Sequence, residues 1–122
     1  MLVTTGIDMV EISRIKMSMM KKGFIERVLG PAERVYYGRS GMPTQSVAAA
    51  FCAKEAFGKA LGCGISGFGM REVEVMHDSN GKPFFMLSGR AKQLADIRNL
   101  SFDLSITHTK SYAMAVVVAY KM

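Results

Sequence analysis

The sequence predicts an α+β fold, a small and mostly antiparallel sheet packed with helices. Three observations predict it. A β-rich segment opens the chain at residues 2–8, the middle shows helical periodicity broken by glycines, and the C-terminal half turns to apolar segments with an Asn80-Gly81 hairpin signal. With 122 residues, 49% hydrophobic and 21% charged, the chain has the make-up of one packed domain, 1–122, without repeats or linker-like tracts.

Residues 2–8 alternate loosely and are rich in Val, Thr and Ile, as in a short strand. A helix is expected from Glu11 to about Lys22, with Gly23 as its stop. Pro31 suits the first turn of a second helix, which runs to about Arg39 before the Ser40-Gly41-Met42-Pro43 break. Ser46 to Leu61 is the strongest helical segment, closed by Gly62-Cys63-Gly64. After the Gly-rich stretch 62–69 the period changes. Val73, Val75 and His77 alternate with Glu72, Glu74 and Met76 in a half-buried strand, and Pro83 to Leu87 is its return. A helix from about Gly89 to Asn99 follows, then strands at Phe102–Thr107 and Tyr112–Tyr120 around a turn at 108–111.

The net charge of +6 points to an anionic partner: nucleic acid, acidic lipid, a nucleotide or an acidic protein. Met1 to Asp8 lacks the pattern of a secretory signal, and no run of about 20 apolar residues offers a membrane span. Cys52 and Cys63 lack metal-ligand spacing and read as reduced. The expectation is a cytoplasmic protein without a membrane partner.

The 46–61 helix is apolar around most of its circumference, so most of its sides should be buried. Its charges are Lys54, Glu55 and Lys59, and the last two share a face one turn apart. Two readings stand open: a surface ion pair of about 0.3–0.5 kcal/mol, or a functional pair whose burial demands partners. The first helix has two faces. Ile12, Ile15 and Met19 suit a core, whereas Arg14, Met17, Ser18 and Lys21 form a second, cationic face that is either solvated or made for an acidic helix.

Asp8 ends the first strand, where it can open a turn or face a cleft. Paired with Glu55 it would supply two hard oxygen ligands of the kind Mg²⁺ takes alongside water and phosphate. His108 lies in a Thr107-His108-Thr109-Lys110-Ser111-Tyr112 turn that is either an ordinary surface turn or a set of phosphate donors. His77 has no such neighbours and reads as structural. Neither a P-loop, a dinucleotide fingerprint nor a nucleophile elbow is present.

Gly6-Ile7-Asp8-Met9-Val10-Glu11-Ile12-Ser13-Arg14-Ile15 resembles the opening GxDxxExxRI motif of the holo-acyl-carrier-protein synthases, which are 4′-phosphopantetheinyl transferases. Phe51 to Gly64 resembles that family's FAxKEAxxKAxGTG signature, and Phe24 to Leu29, Asn80 to Pro83 and Ser105 to Ala113 fall in the family's order. The likeness runs over essentially the whole chain.

The resemblance implies the 4′-phosphopantetheinyl transferase fold and transfer of phosphopantetheine from coenzyme A to a serine of apo-acyl carrier protein, releasing 3′,5′-ADP. It places Mg²⁺ on Asp8 and Glu55, and Lys59 on the diphosphate, so that these three carry the catalysis. Gly62, His108 and Thr109 fall at the coenzyme A site, and Arg14, Met17 and Lys21 at the carrier surface. A homotrimer with active sites between subunits is likewise implied. Four positions depart from the usual pattern: Ala50 stands where arginine is common, Ser18 where some members have methionine, Cys52 for alanine and Cys63 for threonine. Two rival classes are a basic nucleic-acid-binding module and a catalytically dead relative. The scattered Lys and Arg residues speak against the first, and the retained Asp8, Glu55 and Lys59 against the second.

Overall fold

Ten residues, Leu2–Glu11, form the first strand (β1), longer than the expected 2–8 segment because it pairs along its whole length with the last strand. In the computed structural model, which describes residues 1–121, the elements that follow are α1 (Ile12–Met19), α2 (Phe24–Val28), α3 (Pro31–Gly38) and α4 (Thr44–Leu61). Next come β2 (Val73–His77), β3 (Pro83–Leu87), α5 (Gly89–Arg98), β4 (Ser101–His108) and β5 (Tyr112–Lys121). The strands form two antiparallel sheets, one in the order β1-β5-β4 and the other the β2-β3 hairpin.

The first helix departs from expectation at its end. The first helix ends at Met19, three residues short of Lys22. Gly23, at φ 85°, does not stop that helix but precedes α2, a helix that periodicity did not predict over so short a span. Asn99 and Gly62 cap α5 and α4 in the left-handed region, at φ 55° and 82°, where helices commonly end.

The inner face of the larger sheet carries Gly6, Asp8 and Val10 from β1, Leu104 from β4 and Ala113, Ala115, Val117 and Ala119 from β5. Small residues on this face match the alanines of α4, where Ala48, Ala53 and Ala56 are fully buried. Helix and sheet therefore approach closely. A Cβ on Gly6 would overlap the carbonyl oxygen of Ala56 and lie 2.7 Å from the Ala60 nitrogen, so only glycine fits there. Phe57, fully buried on α4, forms a second cluster with Phe68, Phe85 and Phe102 at ring separations of 4.7–5.2 Å. Burying such a side chain contributes about 1.5–3 kcal/mol.

The strand at 73–77 is more buried than half-buried, since Glu74 is buried along with Val73 and Val75. Its carboxylate accepts from the Glu33 N–H (2.9 Å), replacing the N-cap side chain that Gly30 cannot provide at the start of α3. Glu33 itself accepts from the Gly30 and Val75 N–H groups and from Lys54 Nζ, at 2.7–2.9 Å. Lys54 is wholly buried and also donates to the Met70 and Val73 carbonyls. This network fastens α3 and β2 to α4, leaving Glu55 and Lys59 as the charges of α4 that face outward cavities or solvent. Both cysteines are free. Among the described residues no helix is long and apolar enough to cross a membrane.

Candidate functional site

The close seat of Gly6 against α4 decides where the neighbouring carboxylate goes. Asp8, one inward position further along β1 and opposite Ala115, points toward the helix turn that carries Glu55 and Lys59. Lys59 Nζ donates to the Ile7 carbonyl at 2.9 Å and lies 3.4 Å from Asp8 Oδ1. Of the two readings of the Glu55/Lys59 spacing, the simple surface ion pair is not formed among the described residues. The ammonium is instead held on β1 beside Asp8, with its side chain about half exposed.

Asp8 and Glu55 line one open cavity of about 530 Å³. Burial raises the Glu55 carboxyl above its ordinary range, the Asp8 charge raises it further, and Lys59 opposes both. Asp8 Oδ2 is buried and has no hydrogen-bond partner. A buried carboxylate oxygen without a partner is costly, and a second carboxylate nearby adds repulsion. A divalent cation relieves both, so the donor set fits one. No group of three or more His, Cys, Asp or Glu side chains could hold a metal among the described residues. Two carboxylates with the remaining positions left to water and phosphate oxygens is the pattern of Mg²⁺.

Cys52, where alanine is common in the resembling family, is buried behind this pair. Its thiol donates to the Ala113 carbonyl at 3.3 Å, and burial followed by the Asp8 charge pushes it up to about 12. It is thus a neutral thiol, not a nucleophile.

The same cavity is lined by Glu11, Arg14, Ser18, Phe51 and Tyr112. Arg14 therefore stands at the cavity mouth, where the cationic face of the first helix was expected to meet a partner. Met17 is 68% exposed and does not line the cavity, whereas Ser18 does. Lys21, just beyond α1, is exposed. Met17 and Lys21 of this face thus lie outside the cavity, whereas Arg14 and Ser18 open toward it. Sequence reasoning assigned no role to Glu11, Phe51 and Tyr112, although all three fall inside the quoted motifs. The cavity-facing positions of Glu11 and Tyr112 follow from the β1–β5 register, which sets them opposite each other, and Phe51 lies about one helical turn before Glu55 on α4.

The expected coenzyme A residues are not all brought together within the chain. Gly62 caps α4, its N–H donating to the Lys59 carbonyl at 3.0 Å, and it lines neither this cavity nor the next. Thr109 builds the β4–β5 turn: its hydroxyl accepts from the Ser111 and Tyr112 N–H groups at 3.2 and 3.0 Å. His108 lines a second cavity of about 230 Å³, its Nδ1 2.8 Å from the Gln45 amide nitrogen. His77, expected to be structural, lines that same cavity.

Residues 4–117 match the family model described as the 4′-phosphopantetheinyl transferase superfamily. The chain is 40% identical over 116 residues to the holo-[acyl-carrier-protein] synthase of Thermoanaerobacter sp. strain X514, covering 93% of this chain and 84% of that protein. Among solved structures, the holo-[acyl-carrier-protein] synthase of Neisseria meningitidis superposes with a TM-score of 0.89 at 32% identity, over 97% of this chain and 98% of that one. That of Helicobacter pylori, solved in complex with coenzyme A, gives 0.82 at 34% identity over 95% and 99%.

Proposed function

The chain belongs to the 4′-phosphopantetheinyl transferase superfamily, and on that premise we propose that Asp8 and Glu55 hold Mg²⁺ at the diphosphate of coenzyme A. The enzyme moves the 4′-phosphopantetheine arm of coenzyme A onto a serine of acyl carrier protein. The observation that carries the metal reading is the buried, partnerless Oδ2 of Asp8 in the cavity that Glu55 also lines.

The serine hydroxyl gives up its proton to water, its oxygen forms a bond to the β-phosphorus of coenzyme A while the bond to the bridging oxygen breaks, and the electron pair leaves with 3′,5′-ADP. Phosphoryl transfer asks the protein mostly for placement and charge neutralisation. When bound, the cation supplies charge stabilisation on the phosphate oxygens. Lys59, anchored on the Ile7 carbonyl, presents a positive point charge beside Asp8 with no further reorganisation. Arg14 at the mouth, with Met17 and Lys21 on the adjoining exposed surface, receives the acidic carrier helix. His108 and the turn shaped by Thr109 serve the nucleotide end, and Gly62 sets the turn after Lys59.

The face of the larger sheet turned away from α4 supports the homotrimer. Val3, Ile7, Met9 and Val116 are 37–59% exposed there, a contiguous apolar surface that suits a subunit contact. Active sites between the subunits of such a trimer are part of the same reading. One domain spanning 1–122 and a cytoplasmic setting complete the reading.

Incubating the protein with coenzyme A, Mg²⁺ and apo-carrier, then weighing the carrier, tests it. A gain of about 340 Da, the mass of the transferred arm, is expected. Asp8→Ala and Glu55→Ala should remain folded and lose transfer together with Mg²⁺ binding measured by calorimetry; full activity in either would overturn the metal assignment.

A further inference from the structure

The last turn of α4 is the part of the site that the helix itself holds least. The final four carbonyls of a helix have no intrahelical partner, and in α4 they belong to residues 58–61. Donors from outside the helix meet the last three. The Gly62 N–H donates to the Lys59 carbonyl at 3.0 Å, Arg98 Nη1 to that of Leu61 at 2.7 Å, and the Thr4 hydroxyl to that of Ala60 at 2.8 Å. Of these donors, only Thr4 comes from β1, the strand that carries Asp8.

Thr4, Gly6 and Asp8 follow one another on the inner face of β1 and meet α4 in turn. Their contacts fix different things. At Gly6 the bare backbone lets strand and helix approach, but a contact without a side chain leaves sliding along the helix open. Lys59 reaches the Ile7 carbonyl through a flexible four-carbon stem, so its ammonium can follow small shifts. Thr4 is different. Its side chain is short and stiff at χ1, its hydrogen bond is directional, and its acceptor belongs to a residue only 4% exposed. That residue, Ala60, directly follows Lys59 in the chain.

We infer that Thr4 is a positioning residue: its hydroxyl fixes the last turn of α4 against β1 and so keeps Lys59 in place for the diphosphate. The inference rests on the reading of Lys59 given above and names the group that holds it there. An ammonium has three N–H donors. One meets the Ile7 carbonyl and one points toward Asp8, which leaves the third for a phosphate oxygen. Without the Thr4 hydroxyl, the buried Ala60 carbonyl loses its donor, the last turn shifts, and the third donor moves with it. Misplacement by about 1 Å costs up to about a hundredfold in rate.

Calorimetric titration with coenzyme A in saturating Mg²⁺ tests this on a cycle of wild type, Thr4→Val, Lys59→Met and the double variant. Thr4→Val keeps the β-branched shape and removes the donor. It should weaken coenzyme A binding about fivefold, the worth of one buried hydrogen bond, and Thr4→Ser should restore it to within about twofold. On the Lys59→Met background the same change should move binding by less than about twofold. Circular dichroism at the titration temperature keeps the comparison among folded proteins, so a merely structural role would leave every affinity in place. In the wild type, the bonded Thr4 hydroxyl proton should be visible in ¹H spectra and persist on addition of coenzyme A, a readout that needs no variant. Wild-type affinity in Thr4→Val, an equal loss on both backgrounds, no recovery in Thr4→Ser, or a hydroxyl signal that vanishes with coenzyme A overturns the inference. If Lys59→Met weakens coenzyme A binding but Thr4→Val does not, the positioning fails and the transferase reading stands. If Lys59→Met leaves coenzyme A binding unchanged, the reading of Lys59 fails and the inference with it.

Discussion

Lys54 precedes the proposed metal ligand in the chain, yet its task is structural. Its ammonium is fully buried, with Glu33 Oε1 at 2.7 Å, the Val73 carbonyl at 2.7 Å and the Met70 carbonyl at 3.1 Å. Burial pushes the Glu33 carboxyl up and the Lys54 ammonium down, and their mutual attraction opposes both shifts. Lys54→Met removes the cation at nearly constant volume and strands a buried carboxylate and two carbonyls. Breaking a buried pair from one side costs about 3–5 kcal/mol, a large share of the ~5–15 kcal/mol by which domains are stable. For a chain of this size, between the small and mid-sized domain ranges, that lowers Tm by roughly 12–20 °C. In Glu33→Gln/Lys54→Met the buried charge is gone, although the amide oxygen can accept from only one of the Gly30 and Val75 N–H groups, which in the wild type meet different carboxylate oxygens. The double variant should therefore recover about 1 kcal/mol or more relative to the Lys54→Met single variant. Urea unfolding of the four proteins of the cycle, followed by circular dichroism, measures the coupling. A loss below about 1 kcal/mol in Lys54→Met, or strict additivity of the two changes, would refute the account of this network.

Three further outcomes follow from the geometry. Arg14→Glu at the cavity mouth should raise KM for carrier at least about tenfold while leaving KM for coenzyme A within twofold, since one reversed charge at an interface mainly affects encounter and register; steady-state kinetics with each substrate varied decides it. Gly6→Ala should destabilise by more than the ~1–3 kcal/mol of ordinary overpacking, because the new Cβ meets backbone of α4 and not a movable side chain; thermal unfolding reads this, and a near-wild-type Tm would contradict the close seat of β1. Lys82 and Asp103 form an exposed pair at 2.8 Å, and the Lys82 hydrogen bond holds the Asp103 carboxyl below its ordinary 3.8. An acid with a lowered folded-state pKa stabilises above its unfolded pKa and ceases to do so as pH falls through the folded one. Lys82→Ala should thus cost about 0.2–1 kcal/mol at neutral pH and nothing once Asp103 is protonated, as measured by urea unfolding at both pH values.

Much of this molecule was legible in the order of its residues. Alternating and helical periodicity, Asn80-Gly81 and the helix-closing Gly62 marked the strands, the hairpin and the long helix, because those signals act within a few residues of themselves. The motifs around Asp8 and Glu55–Lys59 likewise identified the carboxylates and the lysine that line or flank one cavity. Contacts between distant segments were not legible. That Lys54 is a buried strut, that Lys59 reaches back to the Ile7 carbonyl, that Ser18 and not Met17 faces the cavity, and that His77 joins His108 all depend on how α4 and β2 settle on their neighbours. Periodicity says which face of an element is apolar but not which neighbour covers it. A polar residue on that face becomes a strut, a ligand or a reader of substrate only when packing has chosen its partners, since burial makes an unpaired charge or hydrogen-bonding group expensive and a paired one tolerable.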